Sequence, residues 1–390
     1  VNKSNLHSHI TSLAQHVKKR HRKGCLKNPT KTKSLLWIGI GVVVIVLTII
    51  FLYVSQPPHR PNTATPEYKQ MKESLDRVRE WLWDNPPNGT NRVERRQRME
   101  ILQMACDQLP ASAYLQYRAS WNDSEKTAAA FEDEYLALSY LRNATRHAIQ
   151  DFHATDVKQG VVVWYLYNMG YLFKTPDACF GIDLHFRDAE DLVEDLDFLL
   201  ITHGHGDHYT KSLLDAMITA GKPVITRWYP GSIIVKHSGE FRFDTVRVKI
   251  DIGDHHFHIP VVGWNNMLMF QIDCGDAAHN YTIYHGGDGN QFKKMRPDKP
   301  VDLFIVHAQF PMDVTDAIHY LHPRLTILSH ILELGHSPRF PLPLRCSFDA
   351  AFKKIRDINE DEAIILTWGE RWYSPHTIIE MGTRFSTRID

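Results

Sequence analysis

Hydrophobic positions along this chain fall into three successive patterns. Leu35 to Val54 is an unbroken apolar run. From Glu67 to Trp83 the apolar residues Met71, Leu75, Val78 and Leu82 recur at three and four, which predicts a helix. Asn85-Pro86-Pro87-Asn88-Gly89 breaks it. A second helical block is expected over Arg92 to Gln108, with further helical pieces to Phe152. Tyr114, Tyr117, Trp121, Phe131, Tyr135, Leu138 and Leu141 give these pieces apolar faces, and amphipathic spacing accounts for them as core.

From Gly160 the period shortens. Val161–Tyr167, Tyr171–Lys174 and Cys179–Asp183 read as strands with glycine turns between them. Further strands are expected at Asp197–Thr202, Pro223–Thr226, Val246–Ile252, Tyr281–Tyr284, Asp302–His307, Leu325–His330 and Ile364–Glu370. Helical pieces intervene at Ser212–Ala220 and around Ala317, Ile318 and Leu321. This alternation predicts a mixed α/β layered fold.

Charge changes the reading of the first apolar run. The formal net charge is zero over 390 residues, but residues 1–33 carry nine Lys/Arg and no acid. The remainder then holds 36 basic and 45 acidic residues, a net of −9. Twenty uncharged apolar residues match the bilayer core, and Trp37 and Tyr53 stand near the two ends, at interfacial positions. Leu35–Val54 is therefore expected to span a membrane, as a retained signal-anchor. A cleaved leader has a shorter apolar core, closer to the N-terminus. The positive-inside rule places the basic tail in the cytoplasm and the rest outside it. The expected organisation is a basic tail (1–34), a transmembrane helix (35–54), a Pro-rich linker (55–66), an α-helical region (67–152) and a catalytic domain (160–390). The bilayer is the expected partner, and the sequence leaves the oligomeric state open. Five cysteines without a Cys-x-x-Cys pair make a thiolate zinc site improbable.

The chemistry concentrates in His203-Gly204-His205-Gly206-Asp207-His208, directly after the apolar strand 197–202. Four potential metal ligands stand within six residues, and both spacers are glycine, which lets the backbone fold tightly. Imidazoles with a carboxylate suit zinc first, with manganese or iron as alternatives. A second ligand-rich run, Asp254-His255-His256-Phe257-His258, follows the strand 246–252.

The His-x-His-x-Asp-His run resembles the signature of the metallo-β-lactamase superfamily, over about residues 160–372. The resemblance implies an αββα sandwich with two divalent metal ions at one edge. It implies that His203, His205 and His255 (or His256, then His258) hold one ion and that Asp207, His208 and His330 hold the other, with Asp288 bridging. His336 is the alternative to His330. Asp183 resembles a strand-ending aspartate that orients ligands through hydrogen bonds. Asp207 has a catalytic as well as a ligand role, since it could orient the attacking hydroxide generated by the two cations. His285 is either supporting or structural, and His307 and His336 are candidates to protonate the leaving group.

The implied activity is metal-dependent hydrolysis of a phosphodiester or a lipid-like ester or lactone. Neither the 81 residues from Asp207 to Asp288 nor the 42 from Asp288 to His330 leave room for the inserted domain of β-CASP nucleases. The compact core looks more like the branch holding ascorbate-6-phosphate lactonase and N-acyl phosphatidylethanolamine phospholipase D. Two rival readings are a membrane-anchored metal-containing sensor without turnover and an extracytoplasmic nuclease. The net −9 disfavours nucleic acid, whose phosphates need clustered Lys/Arg.

Overall fold

A computed structural model describes residues 60–121, 125–255, 266–309, 312–336 and 345–381. The basic tail, the Leu35–Val54 run, His256 and His258 lie outside the described residues. Among the described residues no helix is long and apolar enough to cross a membrane.

Five helices come first: α1 (Pro66–Asp84), α2 (Arg92–Gln108), α3 (Ala111–Ser120), α4 (Glu125–Glu134) and α5 (Leu136–Ala154). Thr65 starts α1: its side chain accepts from the Tyr68 amide, and Pro66 occupies the first turn, where a missing N–H costs nothing. Leu75, Val78 and Leu82 form its buried stripe, on the spacing read from the sequence.

The strands then build two seven-stranded sheets and one two-stranded sheet. They are β1 (Thr155–Gln159), β2 (Val162–Tyr165), β3 (Tyr171–Lys174), β4 (Cys179–Ile182), β5 (Phe198–Leu200), β6 (Val224–Thr226), β7 (Ile233–Ile234), β8 (Gly239–Phe243), β9 (Val246–Gly253), β10 (Met267–Asp273), β11 (Thr282–His285), β12 (Leu303–His307), β13 (Leu325–Ser329), β14 (Ala363–Ile365), β15 (Arg371–Tyr373) and β16 (Ile378–Met381). The helices among them are α6 (Lys211–Thr219), α7 (Val314–Leu321) and α8 (Phe348–Lys354). One seven-stranded sheet has the order β14-β13-β12-β11-β10-β9-β8, the other β15-β2-β3-β4-β5-β6-β7, and β1 pairs with β16. The fold is mixed α/β, with two large sheets.

Alternation along the strands explains the layering. Val163, Tyr165, Tyr171, Phe173, Phe198 and Leu200 belong to the main core, while Val162, Trp164, Leu172 and Leu199 form a second cluster with α5 and α6. Successive strand residues face opposite sides, so each strand serves both layers. Between the sheets, stacked rings of Phe173, Phe180 and Phe198 end on Phe243 of the opposite sheet, with a last centroid spacing of 4.2 Å.

Three features differ from the periodicity. Gly239–Phe243 and Met267–Asp273 are strands that the apolar pattern did not mark; β10 is buried along its whole length and shows no alternation. Thr155–Gln159 pairs antiparallel with Ile378–Met381, so the first strand meets the last. The expected strand Ile364–Glu370 stops at Ile365, because the chain leaves one sheet there and enters the other at Arg371.

That crossing is where the helices grip the sandwich. Arg95 of α2 is buried and donates to Glu370 Oε2 at 2.7 Å and to the Asn85 carbonyl at 2.6 Å. The Thr367 hydroxyl donates to the same carboxylate oxygen at 2.7 Å. Both charged side chains are at most 2% exposed, so removing one leaves the other buried and unmatched. Arg95→Ala is expected to lower unfolding free energy by about 3–5 kcal/mol in urea titration of the full chain, in line with other broken buried pairs. A loss under about 1 kcal/mol, the size typical of an exposed pair, would contradict this role.

Candidate metal centre

Parallel pairing brings the ligand-bearing segments to one edge. Strands β11, β12 and β13 are parallel neighbours, and β9 runs the same way because two antiparallel pairings separate it from β11. Their carboxyl ends carry His255, Asp288, His307 and His330. In the facing sheet β4 and β5 are parallel, and their carboxyl ends carry Asp183 and the 203–208 loop. Open α/β sheets bind ligands at this end, where loops leave the strands.

Two neighbouring donor groups result, each with its ligand atoms within 4.8 Å of one another: His203, His205, His255 and Asp288; and Asp207, His208 and His330. A third grouping joins Asp288 and His330 to His307. Asp288 Oδ2 sits 3.2 Å from His208 Nε2, 3.5 Å from His330 Nε2, and 3.7 Å from both His203 Nε2 and His255 Nε2. His330 Nε2 is also 3.4 Å from Asp207 Oδ2. Donors at 2.0–2.1 Å from a tetrahedral zinc stand about 3.3 Å apart, so these spacings suit a shared cation. His203 Nε2, His208 Nε2 and Asp288 Oδ1 are buried without a hydrogen-bond partner, and a cation would satisfy them.

Asp183 sets the ring orientation of two of these ligands. Its Oδ2 accepts from His208 Nδ1 at 2.8 Å and from the Thr202 hydroxyl at 2.7 Å. Its Oδ1 accepts from the Thr202 amide at 2.8 Å. Because the Thr202 proton goes to Asp183, its oxygen accepts from His203 Nδ1, 3.0 Å away. Both Nε2 atoms are thus turned toward Asp288. The backbone is shaped for this: Asp183 and His330 have φ of 50° and 59°, conformations that cluster at functional sites. Gly287 has φ of 51°, and a Cβ there would meet Met267 Cε at 2.2 Å, so the turn presenting Asp288 needs glycine.

The electrostatics follow from burial. Burial disfavours charge on His208, but Asp288, Asp207 and Asp183 outweigh it and hold its pKa well above the ordinary value. Burial likewise pushes Asp288 and Asp207 up, yet His208 and His330 hold both well below the usual carboxylate range. Burial drives His203 well below its ordinary value and His307 to about 3. Protons on His208 and His330 thus balance the carboxylates, and a cation would replace them.

His203, His205, Asp207, His208, His255, Asp288 and His330 are brought together, and Asp183 lies behind them. His285 is turned away, with Nε2 on the Met169 carbonyl at 3.0 Å and Nδ1 accepting from the Gly287 amide, so it supports the turn. His336 stands off the cluster, its Nδ1 against Glu333 Oε2. Three contributors escaped the sequence reading. Asn168 Nδ2 donates to Asp207 Oδ2 at 3.1 Å, and its Asn-Met-Gly turn was the available signal. Thr202 immediately precedes the histidine run. Buried Glu333 follows His330 by three residues.

No family model matches the chain. Among curated proteins, a UPF0173 metal-dependent hydrolase of Enterococcus faecalis is 30% identical over 152 residues, covering 34% of this chain and 67% of that protein. A UPF0173 metal-dependent hydrolase of Thermoplasma volcanium is 29% identical over 147 residues, covering 34% of this chain. The match spans 62% of the Thermoplasma protein, less than two thirds of its length. Among solved structures, a metallo hydrolase from Ignicoccus hospitalis aligns with a TM-score of 0.43 and 15% identity, over 55% of this chain and 98% of that one. The chain belongs to the UPF0173 metal-dependent hydrolases.

Asp183→Asn would put an amide where two donors now point. It is expected to weaken metal affinity about 10–100-fold, the usual effect of losing such a partner, in competition with a chromophoric chelator. Unchanged affinity would remove Asp183 from the site.

Proposed function

We propose that this chain is a membrane-anchored hydrolase using two divalent metal ions, zinc first, on a phosphodiester or a lipid-like ester or lactone. The observation that supports it most is a single buried carboxylate, Asp288, that belongs to the first donor group and has an oxygen within 3.5 Å of His208 and His330 of the second. Two cations held there would polarise the scissile group, lower the pKa of water and stabilise developing negative charge. His203, His205 and His255 would hold one, and Asp207, His208 and His330 the other.

The chain's own groups do the rest. Asp207 stays ionised, because His208 and His330 offset its burial, and Asn168 fixes one of its oxygens. It is therefore placed to orient an attacking water by accepting a hydrogen bond from it. His336 is better placed than His307 to protonate a leaving group. Its ring is 31% exposed and backed by Glu333, whereas His307 is buried against Asp288. The anchor reading rests on the uncharged Leu35–Val54 run and the basic residues before it, and it places the catalytic domain outside the cytoplasm.

The test is metal analysis of the full chain in detergent together with hydrolysis of bis(p-nitrophenyl) phosphate. About two ions per chain and turnover lost on chelation are expected, as for other two-metal sites. Asp288→Ala is expected to lose metal and at least about a thousandfold of turnover, as a shared ligand should. No tightly bound metal after metal-replete expression would overturn the reading.

A further inference from the structure

Among the described residues, the metal loop leaves the cluster partly open to solvent. His203, His208, His330 and Asp288 are buried, whereas Gly204 is exposed and His205, Gly206 and Asp207 are partly so. Arg118, on the last turn of α3, stands at this opening. Its Nη1 and Nη2 both lie 3.0 Å from where a Cβ on Gly206 would sit. Gly206 separates His205 from Asp207, one residue from each donor group, so the guanidinium lies flat against the metal loop between them.

Arg118 is half-buried and, among the described residues, its side chain takes part in no hydrogen bond or ion pair. Its neighbours on the helical region do: Arg92 meets Glu360, Arg95 meets Glu370, Arg96 meets Asp349 and Arg142 meets Asp188. Nor is α3 free to drift. The Tyr114 hydroxyl is 3.1 Å from His185 Nε2, and Tyr117 donates to Glu132 Oε1 at 2.6 Å. A cation with no partner among the described residues, beside a site built for cations, opposes their binding. That opposition turns into attraction when an anion lies between guanidinium and metals, and the guanidinium fork fits two oxygens of a phosphoryl group.

We propose that Arg118 is the substrate-anion receptor of this site and that the substrate is a phosphodiester monoanion, whose two non-bridging oxygens its fork meets. This rests on the hydrolase reading and narrows it, setting aside neutral lactones and esters. The helical region would then contribute directly to specificity.

The test measures binding of diphenyl phosphate to the metal-loaded full chain by calorimetry, in the wild type, Arg118→Met and Arg118→Lys. Turnover of anionic bis(p-nitrophenyl) phosphate is compared with that of neutral p-nitrophenyl acetate. Arg118→Met is expected to weaken diphenyl phosphate at least about tenfold and raise KM for the anionic substrate alike, as loss of a charge-assisted bond should. Metal content and the neutral ester should change by less than about twofold, since neither uses that bond. Arg118→Lys should fall between, keeping the charge without the fork. Undiminished affinity in Arg118→Met, no binding by the wild type, or equal losses on both substrates with lost metal would each overturn the proposal. Arg118-dependent binding without any turnover would support the receptor and sink the hydrolase reading instead.

Discussion

A carboxylate buried among imidazoles is the constraint on which this molecule depends. Asp288 is 5% exposed, and four histidine Nε2 atoms stand within 3.7 Å of one of its oxygens. An ionised carboxylate in such a place is costly unless positive charge meets it. The surroundings provide that charge and hold it in register. Asp183 and Thr202 orient two rings from the β5 side, and the Gly286–Gly287 turn delivers the carboxylate from the β11 side. Neither sheet makes the site alone. The 4.2 Å ring contact between Phe198 and Phe243 helps fix the layers whose edges must meet there.

The site was far more legible in the sequence than the fold around it. The histidine run, the Asp183 strand end, the Gly-Asp turn and His330 each follow a short apolar stretch, so local pattern placed them at strand ends. Which residues would share a cavity came from the resemblance, since spacing carries no long-range information. Between His255 and His256 the sequence could not choose; His255 is in the cluster, and His256 lies outside the described residues.

What escaped was what pairing decides. Strand β10 is buried on both faces and has no alternation to betray it, and β1 becomes a strand only because β16 lies beside it. Asn168 and Arg118 are single polar residues in stretches whose apolar neighbours explain themselves as core. Their relation to the metal loop exists only after residues 39 positions apart, in the case of Asn168 and Asp207, are folded together. Polar residues of this kind have no periodic signature, because their roles come from tertiary position.

The Arg95–Glu370 pair has a further consequence for how the molecule is made. Its partners are 275 residues apart, and Thr155 of β1 meets Met381 of β16. A ribosome emitting about 5–20 residues per second exposes the Arg95 guanidinium many seconds before its counterion exists. The helices can form early, since their contacts are local, but docking onto the sandwich must await the C-terminal strands. The nascent chain therefore waits with an apolar helical face uncovered until Glu370 and β16 have emerged and the helices can close onto the sandwich.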